Sequence, residues 1–450
     1  MPESQAFNPI PGHRMRARKL RDAVHKDIYL DPGEMAALDT PQMQRLRGIR
    51  QLGAAYQVYP SAQHTRFEHC LGACWMAKRI VEQIERSGDF AFPEVHKRAV
   101  FLASLVHDVT HIPFGHTFED ERRLLDRHDH SRSRFRLLLG GGELRERLEA
   151  TEEGRLALQL LEPGRAVPPR LEGLRQIVSG TICADLLDYL KRDNYFCGLS
   201  RDFDERVFHY FRIADGRLVI DLRHDGFFRR DALSEVTNLL RIRYVLSERV
   251  YYHHAKIAAG VMISKAVERA LAGGLTEADL CTLTDEALLH HLGREFGGDE
   301  ALRELLDGFR MRRLFKRCYM LSRQIGEDAV EDAVRRHHLN ENGARDQAER
   351  RIADALGAPP HRVAIYCAPA GMALKEADVP VLVPEATLTR LSDLNSDEVQ
   401  VLKRQHQALW KLYVFLSPAF ADRTAEAGAA CERVIGFPNE LPAEKRGHLL

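Results

Sequence analysis

Apolar residues recur at helical spacing through most of the chain. From Glu68 to Gly88 the positions Leu71, Trp75, Ile80, Val81 and Ile84 predict a helix stopped by Ser87-Gly88, with His69 near its start. Val100, Ala103 and Val106 predict a second, over about Glu94 to Val109, with His107-Asp108 at its C-terminal end. Pro113 and Gly115 then force a loop, and a further helix is expected to begin at His128-Asp129-His130. Leu139 to Gly142 and Pro163 to Pro169 read as connectors, followed by a helix from Gly180 to Asp193.

Two hydrophobic runs around Asp215-Gly216 predict a β-hairpin over Phe208 to Leu222. A long helical span follows from Ala232 to Leu271, closed by Gly273-Gly274, and helices are expected to continue from Leu275 to about Leu356. Beyond Pro359-Pro360 the pattern shortens to runs of five, Val363–Cys367, Val379–Val383 and Leu412–Leu416, which suit strands. The expected architecture is mainly α with a β-hairpin insertion and a small C-terminal α+β lobe. Its divisions are a flexible stretch at 1–14, a helical body at 15–356 and the lobe at 357–450.

Composition narrows the function classes. Lys+Arg of 65 balance Asp+Glu of 65, so anion binding must be local, and nucleic-acid binding is not indicated. The Met1 to Gly12 stretch lacks a signal-peptide pattern and no window reaches the ~18 apolar residues of a membrane helix. A cytoplasmic protein without membrane contact is the expectation. Eight cysteines show no framework spacing, and Cys70 and Cys74 suit core packing.

The candidate chemistry lies in the histidines. His69, His107, Asp108, His111 and His116 fall within one short stretch, and neutral imidazole with carboxylate suits a divalent first-row ion. His-Asp dipeptides also occur at ordinary helix ends, so a further carboxylate is needed. Asp185 supplies one: with Tyr189 and Asp193 it falls at i, i+4 and i+8 on one helix face, and a buried carboxylate needs a partner. A metal is one such partner; an ion pair with Arg192 is the other.

Together with Asp39-Thr40-Pro41-Gln42-Met43-Gln44-Arg45-Leu46-Arg47, Arg50 to Gly53, His64 to His69, Arg192 to Phe196 and Arg243 to His253, these motifs resemble the HD-domain metal-dependent phosphohydrolases. The deoxynucleoside triphosphate triphosphohydrolase branch, with the vertebrate SAM-and-HD-domain enzyme and bacterial dGTPase-like members, is the most similar. The resemblance covers residues 15 to 270 well. It implies a helical HD fold and a divalent ion (Mn, Fe, Mg, Zn, Co or Ni) on His69, His107, Asp108 and Asp185. Water would attack the α-phosphorus of a deoxynucleoside triphosphate and release tripolyphosphate.

By the same resemblance His116 handles the proton at the leaving oxygen, His111 and Glu119 support it, and His128, with His130 as its rival, lies near the phosphates. Arg66 is expected on phosphate, Gln51, Leu52 and Asp193 at the sugar, and Tyr189, Arg243 and Tyr251 along the pocket wall. An activating nucleotide would meet Lys19, Asp39, Gln44 and Arg47 at an interface of a homodimer or homotetramer. Two departures stand out: Arg21 replaces an asparagine of the vertebrate enzyme, and Leu186 replaces its phosphate-binding lysine. The second leaves another nucleotide or phosphoester open as substrate, and a nucleotide-responsive module as a third reading.

Overall fold

The computed structural model describes residues 18–88, 90–384 and 387–442, so the stretch expected to be flexible at 1–14 lies outside the described residues. The described residues open on an antiparallel hairpin, β1 (Arg18–Asp22) and β2 (Lys26–Leu30), in a stretch rich in arginine and lysine. Helix α1 (Arg66–Arg86) carries His69; at its start the Glu68 carboxylate accepts from the Thr65 N–H at 2.7 Å. Cys70, Cys74, Ala77, Val81 and Ile84, spaced alternately four and three apart, bury one stripe of it.

Helix α2 (Glu94–Val106) packs on α1 and tightens into a 3-10 turn at His107–Thr110, which swings His107 and Asp108 toward α1. Arg45 locks that turn by donating to the carbonyls of Val109 at 3.0 Å and His111 at 2.6 Å. Helix α3 (Ala184–Phe196) lies across α1 and brings Asp185. The helix expected from His128 instead starts at Arg132, capped by Ser131.

The hairpin β3 (Phe211–Ala214) and β4 (Arg217–Asp221) forms as expected, with both turn residues at positive φ, Asp215 at 48° and Gly216 at 72°. The helix expected over Ala232 to Leu271 is two helices, α4 (Arg230–Leu246) and α5 (His254–Ala272). Between them Ser247–Tyr251 forms a π turn: the Ser247 hydroxyl donates back to the Arg243 carbonyl at 2.9 Å, a contact that bends helices. The break falls at Tyr252-His253, and the His253 side chain accepts from the Ala255 N–H at 3.3 Å to cap α5.

The helices expected between Leu275 and Leu356 are interrupted by a strand, β5 (Lys316–Ser322). It pairs with β9 (Lys411–Leu416), which also pairs with β6 (Val363–Cys367), so β9 is the centre of a three-stranded sheet. Farther on, β7 (Pro380–Val383) pairs antiparallel with β8 (Thr387–Arg390) and parallel with β4. Both sheets therefore take strands from either side of residue 356. One apolar core surrounds α1 to α4; a second surrounds α5 and the β5-β9-β6 sheet.

The second core carries two histidines that set an acid limit. Burial, then Arg336, holds the His337 imidazole down at about 4, and burial, then Arg317, holds His254 at about 3. The unfolded chain takes up these protons near 6.5, whereas the folded one refuses them until far lower, so their contribution is complete above pH 6.5 and lost as pH falls toward 4. Melting temperature should therefore drop across that window, with His337 contributing a slope of about 1.4 kcal/mol per pH unit. Thermal melts of the wild type and His337→Leu should show a flatter profile in the variant; parallel profiles would count against it.

Candidate metal centre

His69, His107 and Asp108 bring one ligand atom each to within 4.8 Å of one another, and Asp185 joins them from α3. His69 Nε2 lies 3.0 Å from Asp185 Oδ1, His107 Nε2 lies 3.7 Å from the same oxygen, and His107 Nε2 stands 3.5 Å from Asp108 Oδ1. Ligands sharing an ion at bonds of about 2.1 Å have edges of roughly 3.0–3.5 Å, so the shorter separations already match.

Hydrogen bonding tests the fit independently. Each imidazole is tied at Nδ1, His69 to Asp188 at 2.7 Å and His107 to the Ser104 carbonyl at 2.8 Å. Acceptors at Nδ1 place the proton there and leave the Nε2 lone pairs facing inward. Both Nε2 atoms are buried without a hydrogen-bond partner. Lone pairs turned toward carboxylate oxygens repel unless a cation lies between them. The residues thus fit a divalent ion.

The electrostatics agree. Burial would lower the His69 pKa, yet Asp185 and Asp188 outweigh it and push it up to about 10, a measure of how strongly the cluster attracts positive charge. Burial would raise the Asp185 carboxyl, but His107 and His69 hold it well below the usual range. Arg192 does not pair with Asp185: it donates to Asp188 at 2.9 Å and to Asp22 at 2.8 Å, while His25 Nε2 meets Asp188 at 2.6 Å. These four buried groups form a brace behind His69. The Asp188–Arg192 i, i+4 spacing was its visible signal; the partners on the N-terminal hairpin had none.

A second group stands beside the first. His111, His116 and His128 bring nitrogen atoms within 4.8 Å of one another, and His111 Nε2 lies 3.3 Å from Asp108 Oδ1. Fully buried Glu119 ties them together, accepting from Arg134 at 2.6 Å and meeting His116 Nδ1 at 3.1 Å and His128 Nδ1 at 3.3 Å. Against the effect of limited hydration, Asp120 and Glu119 push His116 up to about 9, although 41% of its side chain is open to solvent. Burial holds His111 well down and lowers His128. His130, 77% exposed in its side chain, lies away from the cluster.

Arg66 is buried against a ligand: its Nη1 meets Asp108 Oδ2 at 2.5 Å and its Nη2 the Gln51 carbonyl at 3.3 Å. The Gln51 side-chain oxygen is buried and unpartnered, and Leu52 packs partly buried against the core. Asp193 accepts from the Tyr251 hydroxyl at 2.6 Å and meets His64 Nε2 at 2.9 Å. The Arg243 guanidinium lies over the rings of Tyr189 at 5.4 Å and Tyr251 at 4.9 Å. Glu376, from the C-terminal part, holds Arg243 at 3.3 Å; no motif announced it.

Of the four residues expected to meet an activating nucleotide, Gln44 and Arg47 share a 2.7 Å hydrogen bond, with Arg47 stacked 3.6 Å over the Phe67 ring. Asp39 caps the nearby helix Pro32–Leu38, whose last carbonyl accepts from Gln44 at 2.9 Å. Lys19 is engaged elsewhere, with Asp27 at 3.2 Å.

Residues 66–193 match the HD domain, and residues 204–441 match the HD associated region, more than half of the chain. The chain belongs to the HD family. It is 32% identical over 279 residues to an uncharacterized protein of Methanocaldococcus jannaschii, covering 61% of this chain and 54% of that one. To the deoxynucleoside triphosphate triphosphohydrolase SAMHD1 of Gallus gallus it is 31% identical over 281 residues, covering 55% and 45%. The chain thus spans about half the length of the curated relatives it matches. A phosphohydrolase structure from Bacteroides thetaiotaomicron shares the fold at TM-score 0.68 and 24% identity, covering 89% of this chain and 100% of the other. HD membership agrees with a divalent ion, which the group His69, His107 and Asp108 could hold. No helix among the described residues is long and apolar enough to cross a membrane.

Proposed function

We propose that this HD protein hydrolyses deoxynucleoside triphosphates to the deoxynucleoside and tripolyphosphate. The observation that carries the reading is one helix face. Asp185, Tyr189 and Asp193 follow one another on α3 over roughly 12 Å, so the candidate metal ligand and the Asp193 carboxylate, which accepts from Tyr251, stand a nucleotide's length apart, which supports this reading. Similarity to triphosphohydrolases named SAMHD1 supports the same substrate class.

When bound, a divalent ion supplies Lewis-acid charge to a phosphate oxygen and acidifies water. The chain's own residues do the rest. Arg66 holds Asp108 in place and adds positive charge beside the reacting phosphate. His116, proton-bearing at neutral pH, donates to the leaving 5′-oxygen as the bond from α-phosphorus to that oxygen breaks and the bond to the water oxygen forms. Glu119 fixes His116 and His128. Asp193 and Gln51 bind the sugar 3′-hydroxyl, and the Tyr251 ring, held by Asp193, closes the space a 2′-hydroxyl would need. An activating nucleotide, under this reading, meets Lys19, Asp39, Gln44 and Arg47 where copies of the chain assemble.

The test is chromatography of products from each deoxynucleoside triphosphate, singly and mixed, with Mn, Mg, Fe or Co. Tripolyphosphate should appear only with metal; turnover only in mixtures would mark an activator. Tyr251→Ala should narrow the preference for deoxyribonucleotides by on the order of tenfold or more, and unchanged discrimination would remove the role given to its ring. Leu186, buried in the core, favours a second reading with a substrate of fewer phosphates. Cleavage of a monophosphate or a diester in preference to triphosphates would select it.

A further inference from the structure

A triphosphate brings a charged tail that the four metal ligands do not meet, and Leu186 offers no cation to receive it. Several cations among the described residues lie near the histidine cluster and the pocket-wall residues. Three are committed inward: Arg66, its side chain 3% exposed, to Asp108; Lys256, 14% exposed, to Glu121; and Arg243, 26% exposed, to Glu376. Arg127 differs. Its side chain is 43% exposed, and it spans two half-exposed carboxylates, Asp120 at 3.1 Å and Asp129 at 3.2 Å.

Its position is as telling as its exposure. Arg127 directly precedes His128, whose ring stacks 3.5 Å from that of His111. Asp120 lies 3.3 Å from His116 Nδ1, so one carboxylate separates the Arg127 fork from the histidine given the leaving-group proton.

We propose that Arg127 anchors the terminal phosphates of a polyphosphate substrate, supplying from the loop before His128 the cation that Leu186 withholds. This rests on the triphosphate reading above and specifies how the tail is held. The exchange keeps the fork's geometry: Arg127 is bidentate on Asp120 and also bonds Asp129, and the planar guanidinium takes two phosphate oxygens as it takes two carboxylate oxygens. Asp120 and Asp129 keep the fork extended until phosphate displaces them.

The decisive experiment is calorimetric binding of inorganic tripolyphosphate, and of orthophosphate for comparison, to metal-loaded wild type, Arg127→Ala and Arg127→Lys in excess Mg, with melts confirming that each variant is folded. Arg127→Ala should weaken tripolyphosphate binding by on the order of tenfold or more while changing orthophosphate binding little, and lysine should restore part of the loss. With deoxynucleoside triphosphates the same loss should appear in KM rather than kcat. Equal tripolyphosphate affinity in Arg127→Ala and wild type, or equal losses for both anions, overturns the anchor. If the wild type binds tripolyphosphate through Arg127 yet cleaves no deoxynucleotide, the substrate reading falls and the anchor stands.

Discussion

Asp185→Ala should leave a folded protein that no longer retains its metal and has lost turnover by on the order of 10³-fold or more, since the Lewis acid goes with the ligand. The geometry makes this sharp. Asp185 Oδ1 faces both His69 Nε2 and His107 Nε2 and is the nearest carboxylate oxygen to His69 Nε2, so its removal takes away an anion that both imidazoles share. His69 stays tied to Asp188 and His107 to the Ser104 carbonyl, and the scaffold keeps its shape. Elemental analysis of the purified variant should find metal well below one per chain. Metal added to the wild type should raise its melting temperature by mass action, and the variant should show little such rise. One tightly held metal per variant chain would remove Asp185 from the ligand set.

Gly72→Ala should damage both the fold and the candidate metal site. On helix propensity alone it would gain up to about 1 kcal/mol, because Gly72 lies inside α1. Yet a Cβ there would sit 1.8 Å from Asp188 Oδ1 and 2.5 Å from Arg192 Nη2. Those atoms cannot swing aside, because Asp188 is held by Arg192, His25 and His69 at once and Arg192 is held by Asp22. Breaking a buried pair of this kind costs about 3–5 kcal/mol, several times the propensity gain. Because the same brace aims His69, metal affinity should also fall, by roughly 10- to 100-fold where the variant folds. Denaturant melts and metal titrations check the two effects separately; wild-type values in both would show that the brace does not orient His69.

The candidate ligands were legible because metal chemistry limits residue types and α-helical geometry limits spacing. His69 and Asp185 sit on helices whose period shows in the letters, and His107 and Asp108 directly follow the end of a third. The brace behind them was not, since Asp22 and His25 come from a charged hairpin with few apolar residues to mark its strands. Glu376 was hidden for a different reason: it reaches Arg243 from more than a hundred residues away, and one glutamate on a short turn carries no pattern. The strand β5 reads as a continuation of the preceding helices, and only pairing with β9 decides it. The break at Tyr252-His253 follows from a single serine bonding back to Arg243, a choice that periodicity does not report.

The parallel pairing of β4 with β7 sets a timetable for synthesis. Its two partners, Ile220 with Val381 and Asp221 with Leu382, are separated by about 160 residues of chain, which a ribosome adding about 5–20 residues per second takes roughly 8–30 s to deliver. Through that interval the β3-β4 hairpin waits with one edge unpaired, beside a metal-binding half whose residues have already emerged. An open edge is a template for another chain, so crowded polysomes expose this protein to its own nascent copies at that stage. Slower initiation or lower temperature during expression would thin out those encounters and favour the soluble product.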